Sequence, residues 1–382
     1  MTTTGVPVGS DGGRVPDPAA VQDAIEYCYE RGWTDGLPVV PCDQALLDRF
    51  LAQTDRGPDD VVFAMPHLNR HCTVRLAALN AAMAGCRPEY FPVVLAAWDS
   101  LAAEGYLAKG IWQSTTGTAP MLVVNGPVRE RIGLNGRGNV FGPGFRANAT
   151  IGRALRLTAL NAFGLRPREL DQATQGTPAK YTLCIAENEE ESPWAPLPAE
   201  YGFAAGESTV TAMTIRSVVH VEARHTGVPE QLLRDFADTV ARTGALLHET
   251  ISACLVLGPE HARLLAGAGW DKPRIREFVY AEAVRSRADL DRVGKERVPE
   301  VPLAGTGRPS GRGPGPRGGV RSRLDGRCRP GARAALTGDG AGGGRRCVEL
   351  GSLRRGGDLR SPGRPALRRT RRTPLTVARG GR

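Results

Sequence analysis

The feature that most limits the possible folds of this chain is the alternation of short apolar segments with amphipathic ones between residues 18 and 298. Apolar runs of strand length and composition occur at 59–66, 119–128, 180–187, 208–223 and 251–258. Segments with helical spacing occur around them, at 18–33, 43–54, 73–86, 88–105, 150–164, 229–247 and 259–269. Such alternation predicts an α/β fold, with a mixed or partly parallel sheet flanked by helices.

The chain divides by composition into three parts. Residues 1–17 resemble a flexible leader, and 18–298 form the predicted globular body, in which a break near 200–230 would separate two subdomains. Residues 299–382 are a tail rich in Arg, Gly and Pro. A segment of this kind cannot bury enough apolar surface to offset the entropy lost on ordering, so we predict a disordered C-terminal tail.

All of the excess positive charge belongs to that tail. Residues 301–382 hold 20 Arg, no Lys and 4 acidic residues, whereas the preceding 300 residues hold 30 basic and 36 acidic ones, a net charge of −6. An Arg/Gly-rich tail suggests an RNA-binding arm, but this one lacks the aromatic residues that stack on bases. A frameshift in a GC-rich gene explains the composition better, since Arg outnumbers Lys 26 to 4 in the body as well.

Several classes of protein are disfavoured. No run of 18 or more apolar residues exists and the N-terminus has no apolar signal region, so neither a membrane span nor secretion is expected. The six cysteines of the body form no C-x-x-C pair, which argues against a thioredoxin-type site or a zinc ribbon. We therefore predict a cytoplasmic protein with reduced thiols.

The strongest candidate for ligand binding is the glycine-rich stretch FGPGFRANATIGRALRL, residues 141–157. A loop rich in free N–H groups before a helix attracts phosphate or carboxylate, and Asn148 or Thr150 is a possible cap for that helix. The loop matches neither a Walker A motif nor the dinucleotide fingerprint, and a purely structural turn is the alternative. The predicted anion-binding residues are Gly142, Gly144, Arg146, Asn148, Thr150 and Arg153.

Three further residues are candidates for catalysis. Cys86 precedes a helix and is followed by Arg87, an environment that lowers the pKa of a thiol, although a small buried hydrophobe is the alternative. Glu187 ends an apolar strand, where a carboxylate can act as a general base or a magnesium ligand, although a run of glutamates such as the one that follows is more often a solvated turn. The neighbouring Asn188, and Asn125 at the end of another strand, are candidates for substrate binding. Lys109 precedes a polar loop before the strand that ends at Asn125, and ligand sites of α/β proteins occur at such strand ends.

No histidine cluster has the spacing of a known zinc motif, so we predict no metal and identify no cofactor. The weak alternative for a metal site is His220 with Glu222 and His225, of which the first two would share one face of a strand.

Several blocks resemble an uncharacterised bacterial family whose members occur beside, or fused to, a small (seleno)protein domain named for its UGSC motif. The blocks are WTDGLPVVP (33–41), NAAMAGCRPEYFPVVLAA (80–97), VNGPV (124–128), FGPGFRANATIGRALRL (141–157), AENEEESPW (186–194) and LGPEHARLLAGAGWDK (257–272). The resemblance covers roughly residues 20–295 and implies a thiol- or selenol-bearing partner, without implying a particular reaction. It departs at HLNRHC (67–72), which is richer in histidine than expected, and after residue 300, where a fused partner would lie.

The sequence thus predicts a cytoplasmic enzyme, or enzyme subunit, that acts on a small anionic metabolite together with a UGSC-type partner. Cys86 would be its nucleophile or redox thiol, Glu187 its acid or base, and Arg146 the clamp on the anion. A non-catalytic subunit that presents substrate to the partner is one alternative. An RNA-binding protein that acts through the tail is the other.

Overall fold

The computed structural model describes residues 17–103, 111–243, 253–294, 320–321 and 347–350. The helices of these residues are α1 (Pro18–Glu30), α2 (Gln44–Leu51), α3 (Val74–Met83), α4 (Phe91–Ala103), α5 (Val128–Arg131), α6 (Arg146–Phe163), α7 (Pro229–Thr243), α8 (Pro259–Gly267), α9 (Lys272–Glu282) and α10 (Arg287–Arg292). The strands are β1 (Val61–Met65), β2 (Arg70–Thr73), β3 (Ala119–Asn125), β4 (Cys184–Ala186), β5 (Ser208–Ile215), β6 (Val284–Arg285), β7 (Val320–Arg321) and β8 (Cys347–Leu350).

The central sheet is mixed, as the sequence predicts, and its strand order is β4-β3-β5-β8. Strand β3 runs parallel to β4, with Leu122 opposite Cys184, and antiparallel to β5, with Leu122 opposite Ala212. Strand β8 adds to the outer edge of β5. Because helices flank this mixed sheet, the predicted α/β class is confirmed.

Both faces of the sheet are covered, so every residue of β3 and of β5 is buried, including the hydroxyl-bearing residues of β5. One face, with Leu122 and Val124, packs into the large core that α3, α4 and α6 share. The opposite face, with Met121 and Val123, belongs to a smaller cluster that includes Leu197.

Helix α6 fixes the TDGLPVVP segment that follows α1. The guanidinium of Arg153 donates to both carboxylate oxygens of Asp35, at 2.7 and 2.9 Å, and to the carbonyls of Leu37 and Pro38. About two turns further on, Asn161 donates to the Trp33 carbonyl. These contacts bind the segment after α1 to helix α6.

The C-terminal helices enclose a third cluster of buried residues. It is formed mainly by α7 and α9, with Leu232, Leu233 and Val279 completely buried. Trp194 packs against this cluster, and its indole Nε1 donates to the Trp270 carbonyl at 3.0 Å. The division of the body into subdomains near 200–230 stays a prediction.

Three sequence predictions are wrong in detail. The strand predicted for 208–223 ends at Ile215, and the described part of the predicted strand 251–258 adopts no regular structure. The helix after the glycine loop begins at Arg146 with Phe145 as its N-cap, so neither Asn148 nor Thr150 caps it.

Two short strands come from the tail: β7 pairs with β6, and β8 pairs with β5. The rest of the tail predicted to be disordered, and nearly all of the predicted leader, lie outside the described residues. Within the described parts of the chain, no helix is both long and apolar enough to cross a membrane.

Candidate functional site

A cavity of about 520 Å³, hereafter the site cavity, lies on the sheet face that carries Val123 and Ile185. The glycine-rich loop, the residues after β4 and the segments on either side of α8 surround it. Its apolar wall consists of Val123, Val140, Phe141, Ile185, Ala186, Trp194, Leu197, Ala253, Leu255, Val256, Leu257, Pro259, Ala262 and Ile275. Its remaining lining is Gly136, Arg137, Gly138, Glu187, Asn188, Glu191, Ser192, Glu200, Cys254, Gly258, Lys272 and Arg276.

Glu187 is the carboxylate held most firmly in the cavity wall. It follows β4 directly, beside the end of the parallel strand β3, where Asn125 is located. Its Oε2 accepts from the Asn125 side-chain amide at 2.6 Å and from the Leu197 backbone N–H at 2.8 Å. Its Oε1 lies 3.9 Å from the ammonium of Lys272. The sequence places Glu187 and Asn125 each at the end of a strand, and in the structure the two side chains are in contact.

A second carboxylate in the cavity wall, Glu200, is paired with two cations from α9. The ammonium of Lys272 lies 3.1 Å from its Oε1, and the guanidinium of Arg276 lies 2.7 Å from its Oε2. Lys272 also donates to the Ala195 carbonyl at 2.8 Å. Lys272 thus lies between the carboxylates of Glu187 and Glu200, and its interactions with them hold its ammonium group in position.

The glutamates that follow Glu187 are held by Arg129 rather than solvated as a free turn. Glu189 accepts from Asn125 at 2.7 Å and from the Gly126 N–H at 2.8 Å, and Arg129 pairs with Glu189 and Glu190. Arg129 also donates to the Glu187 carbonyl at 2.7 Å, and its hydrogen bond lowers the pKa of Glu190. The acidic run therefore anchors the end of β4 to α5.

Asn188 and Arg137 complete the polar lining. The Asn188 amide donates to Glu191 Oε1 at 3.2 Å, while its carbonyl Oδ1 is buried and has no hydrogen-bond partner among the described residues. The guanidinium of Arg137 is exposed and forms no ion pair with any described residue. The charge of Arg137 nevertheless contributes to lowering the pKa of Glu191, after the larger effect of the Asn188 hydrogen bond.

The glycine-rich loop is divided between the cavity and the core. Its first part, from Gly136 to Phe141, lines the cavity, whereas the predicted anion-binding residues after it are absent from the lining. The Gly142 N–H is used within the turn, where it donates to the Asn139 carbonyl at 2.9 Å. Gly144 has a φ of 126°, a conformation that favours glycine, so it shapes the turn before α6.

The polar side chains predicted to bind an anion instead bind other parts of the chain. The buried Asn148 accepts from the Asn135 N–H and donates to the carbonyls of Asn135 and Cys184, at 2.8 to 3.0 Å. Arg146 donates to the Gly85 carbonyl at 2.9 Å, and Thr150 to the Arg146 carbonyl at 2.8 Å. Since Arg153 is engaged by Asp35, the structure does not bring these residues together around a common ligand.

The structure places Cys86 in the core beneath α6, next to Thr150 and Cys184. Burial raises the pKa of the Cys86 thiol to about 12, against smaller lowering effects of Thr150, Arg146 and Arg153. The sequence-based expectation of a lowered pKa is therefore wrong, because desolvation outweighs the nearby positive charges. The catalytic role of Cys86 stays a prediction that this environment disfavours.

None of the remaining predicted residues that the structure describes lines the cavity. Lys109 lies outside the described residues. Glu222 pairs with Arg224, and His225 lies 3.4 Å from Asp235, so the weak metal alternative with His220 is not assembled. Within the described ranges, no group of three or more His, Cys, Asp or Glu side chains is placed to hold a metal ion.

Sequence reasoning missed the residues that come from distant segments. Lys272, Arg276, Glu200 and Cys254 reach the cavity from 13 to 89 positions beyond Glu187. The feature of the sequence that could have pointed to Lys272 is the rarity of lysine, since Lys272 is one of four lysines in the chain.

No protein-family model, no curated protein and no solved structure matches this chain.

Proposed function

We propose that this protein binds a small organic acid in the site cavity and acts on it as an enzyme, or as the substrate-binding subunit of one. The observation that carries the proposal is the placement of Glu187: a carboxylate with one oxygen fixed by two hydrogen bonds, in the wall of a largely apolar cavity. Structural carboxylates on a protein surface have no such enclosed space beside them.

The size and lining of the cavity support a small ligand. A volume of about 520 Å³ is within the range of cavities that bind metabolites, which are mainly apolar with a few convergent polar groups. Lys272 and Arg276 are already paired with Glu200, whereas Arg137 forms no ion pair with any residue that the structure describes. Arg137 is therefore the cation to which a carboxylate of the ligand would bind.

The position of Glu187 supports a role as acid or base. A general base must be held within hydrogen-bonding distance of the proton that it removes. Asn125 and Leu197 hold Oε2, which leaves Oε1 as the atom that would accept the proton. The ammonium of Lys272, 3.9 Å from Oε1, is a cation that forms an ion pair with Glu187.

The resemblance to the UGSC-associated family supports a cytoplasmic protein with a thiol- or selenol-bearing partner. Because the Cys86 thiol is buried and its pKa is raised, we assign the reactive sulfur or selenium to the partner rather than to Cys86. Turnover by the purified chain alone would identify it as the enzyme, and turnover only with the partner would identify it as the substrate-binding subunit.

The test begins with a panel of small carboxylic acids, using thermal unfolding of the purified protein to detect binding. We expect at least one acid to raise Tm, and Glu187→Gln to retain binding but lose turnover by about 100-fold or more. Glu169→Gln, which alters an exposed glutamate outside the cavity lining, is the control and should keep full turnover. Full turnover in Glu187→Gln, or a panel without a ligand, would contradict the proposal.

A further inference from the structure

We propose that residues 216–222 pair with the same residues of a second copy of this chain, as two antiparallel strands related by a two-fold axis. The segment, RSVVHVE, follows β5 directly and belongs to the strand that the sequence predicts for 208–223. Its composition, its exposure and its unpaired backbone favour the addition of a strand. The arrangement of its charges identifies a second copy as the source of that strand.

Strand β5 ends where its partner strand β3 begins. Its last residue, Ile215, lies opposite Ala119, which is the first residue of β3, and on the other side β8 pairs with residues 208–211. The chain continues past both neighbours with three valines in the four residues 218–221, a composition typical of strands. Residues 216–222 therefore have the sequence of a strand but no neighbouring strand with which to pair.

The backbone and the side chains of this segment are open to a partner. No backbone N–H or carbonyl of residues 216–222 forms a hydrogen bond with any residue that the structure describes. Val218 and Val219 are 51% and 49% exposed, whereas Val221 packs against the cluster formed by α7 and α9. Unpaired backbone groups beside exposed apolar side chains are a template to which another strand can be added.

The charges at the two ends of the segment match those of a second, antiparallel copy. When Val219 lies opposite Val219 of the second copy, Arg216 lies opposite Glu222 at both ends. Opposite charges that face each other across two strands stabilise the pairing, and a two-fold interface requires such self-complementarity. Glu222 is paired with Arg224 of its own chain, but both side chains are largely exposed. Since exposed ion pairs contribute little to stability, Glu222 can exchange this partner.

The same charges disfavour the other registers. A shift of two residues in one direction places Arg216 opposite Arg224, and the same shift in the other direction places it opposite His220. A shift of one residue places Arg216 opposite Val221 or Ala223, and it turns the side chains of one strand to the opposite face relative to the other. The register centred on Val219 is therefore the one in which both charged ends are paired.

Sedimentation velocity of the full chain at increasing concentration should show a monomer–dimer equilibrium. Val219→Lys places two ammonium groups opposite each other on the two-fold axis, so it should weaken the dimer by about tenfold or more. Val61→Lys is the matched control, because Val61 is a valine of β1, outside the segment, that is 50% exposed. This control should leave the equilibrium unchanged.

Exchange of the two charges tests the register. Arg216→Glu and Glu222→Arg each place like charges opposite each other at both ends, so each variant should self-associate about tenfold more weakly than the wild type. A mixture of the two variants restores opposite charges at both ends. Native mass spectrometry of that mixture should detect the mixed dimer in preference to either homodimer, and the mixed dimer would also show that both variants fold.

A chain that stays monomeric at every concentration would overturn the proposal and leave the segment to a partner of another kind. A dimer that survives Val219→Lys would also overturn it, because the copies would then associate through another surface. Single charge variants that associate as tightly as the wild type, or a mixture without mixed dimers, would exclude the pairing of Arg216 with Glu222 and with it the proposed interface.

Discussion

The polar residues at the start of α6 show how strongly the meaning of a side chain depends on its surroundings. Arg153 resembles an anion clamp in sequence, and it does bind a carboxylate in bidentate geometry, but that carboxylate is Asp35 of the same chain. Asn148 likewise forms three hydrogen bonds, all to the backbone of neighbouring segments. These side chains do form the kind of polar interaction that the sequence predicts, but their partners are other residues of the same chain and not a ligand.

Cys86 provides a prediction at the same scale. Burial raises the pKa of its thiol from 9.0 to about 12, so the folded protein retains a proton that the unfolded chain loses first. The contribution of Cys86 to stability is therefore complete below pH 9 and is lost as pH rises toward 12. Between pH 9.5 and 11, the unfolding free energy of the wild type should fall more steeply than that of Cys86→Ala, by up to about 1.4 kcal/mol per pH unit.

Urea unfolding at several pH values measures this difference, and the comparison with the variant removes the effect of other groups that titrate in the same range. Parallel pH profiles for the two proteins would show that the Cys86 thiol ionises normally in the folded state. That result would restore Cys86 as a candidate nucleophile.

At the scale of elements, the close contact between α6 and the segment before β4 positions the end of β4, and so Glu187. Gly152 of α6 makes this approach possible, because a Cβ atom at this position would lie 2.5 Å from Thr182 Oγ1 and 2.8 Å from the Leu183 backbone nitrogen. Thr182 in turn donates to the Asn148 carbonyl at 3.1 Å. This glycine, which the sequence places in the helix after the glycine-rich loop, thus serves helix–strand packing.

The change Gly152→Ala should therefore destabilise the protein, although alanine is the better helix former by about 1 kcal/mol. We expect a net loss of about 2 kcal/mol or more in unfolding free energy, since the backbone at Leu183 cannot move aside as a side chain can. Gly267→Ala is the control, because Gly267 is also a helical glycine, the last residue of α8, but has no atom within 4 Å of its Cβ position. An equal effect of the two changes in urea unfolding would refute this account of α6.

At the scale of the whole molecule, the buried clusters draw on residues from Cys28 to Ala283, so the hydrophobic stabilisation that the structure shows belongs to the body. The tail contributes β8, whose residues pair with Ser208–Thr211 at the edge of β5. An unpaired edge of this kind can pair with another chain.

Removal of residues 301–382 should therefore leave a cooperatively unfolding protein. Its unfolding free energy should be lower by no more than about 3 kcal/mol, the contribution of a few backbone hydrogen bonds. Self-association, measured by light scattering, should increase because the β5 edge is exposed. A non-cooperative transition would show that the tail is part of the core, and an unchanged state of association would show that β8 does not protect this edge.

The fold class could be predicted from the sequence alone, because apolar runs and helical periodicity are local properties. They indicate directly which segments form strands and which form helices. The same local reasoning identified Glu187, Asn188 and Asn125, since side chains at the ends of neighbouring strands share one edge of a sheet. It was less successful at element ends: β5 stops at Ile215, and α6 begins at Arg146, four residues before the predicted position.

Only the tertiary structure decided which polar residues share the cavity and which are buried in the core. Lys272 and Arg276 meet Glu200 because α9 packs beside the residues after β4, a long-range contact that no local pattern encodes. The same packing determines the pKa of Cys86, because desolvation depends on all the atoms around a thiol and not on its neighbours in sequence. The sequence by itself determined the α/β architecture and the carboxylate at the end of β4, and the packing around that carboxylate made it a candidate site.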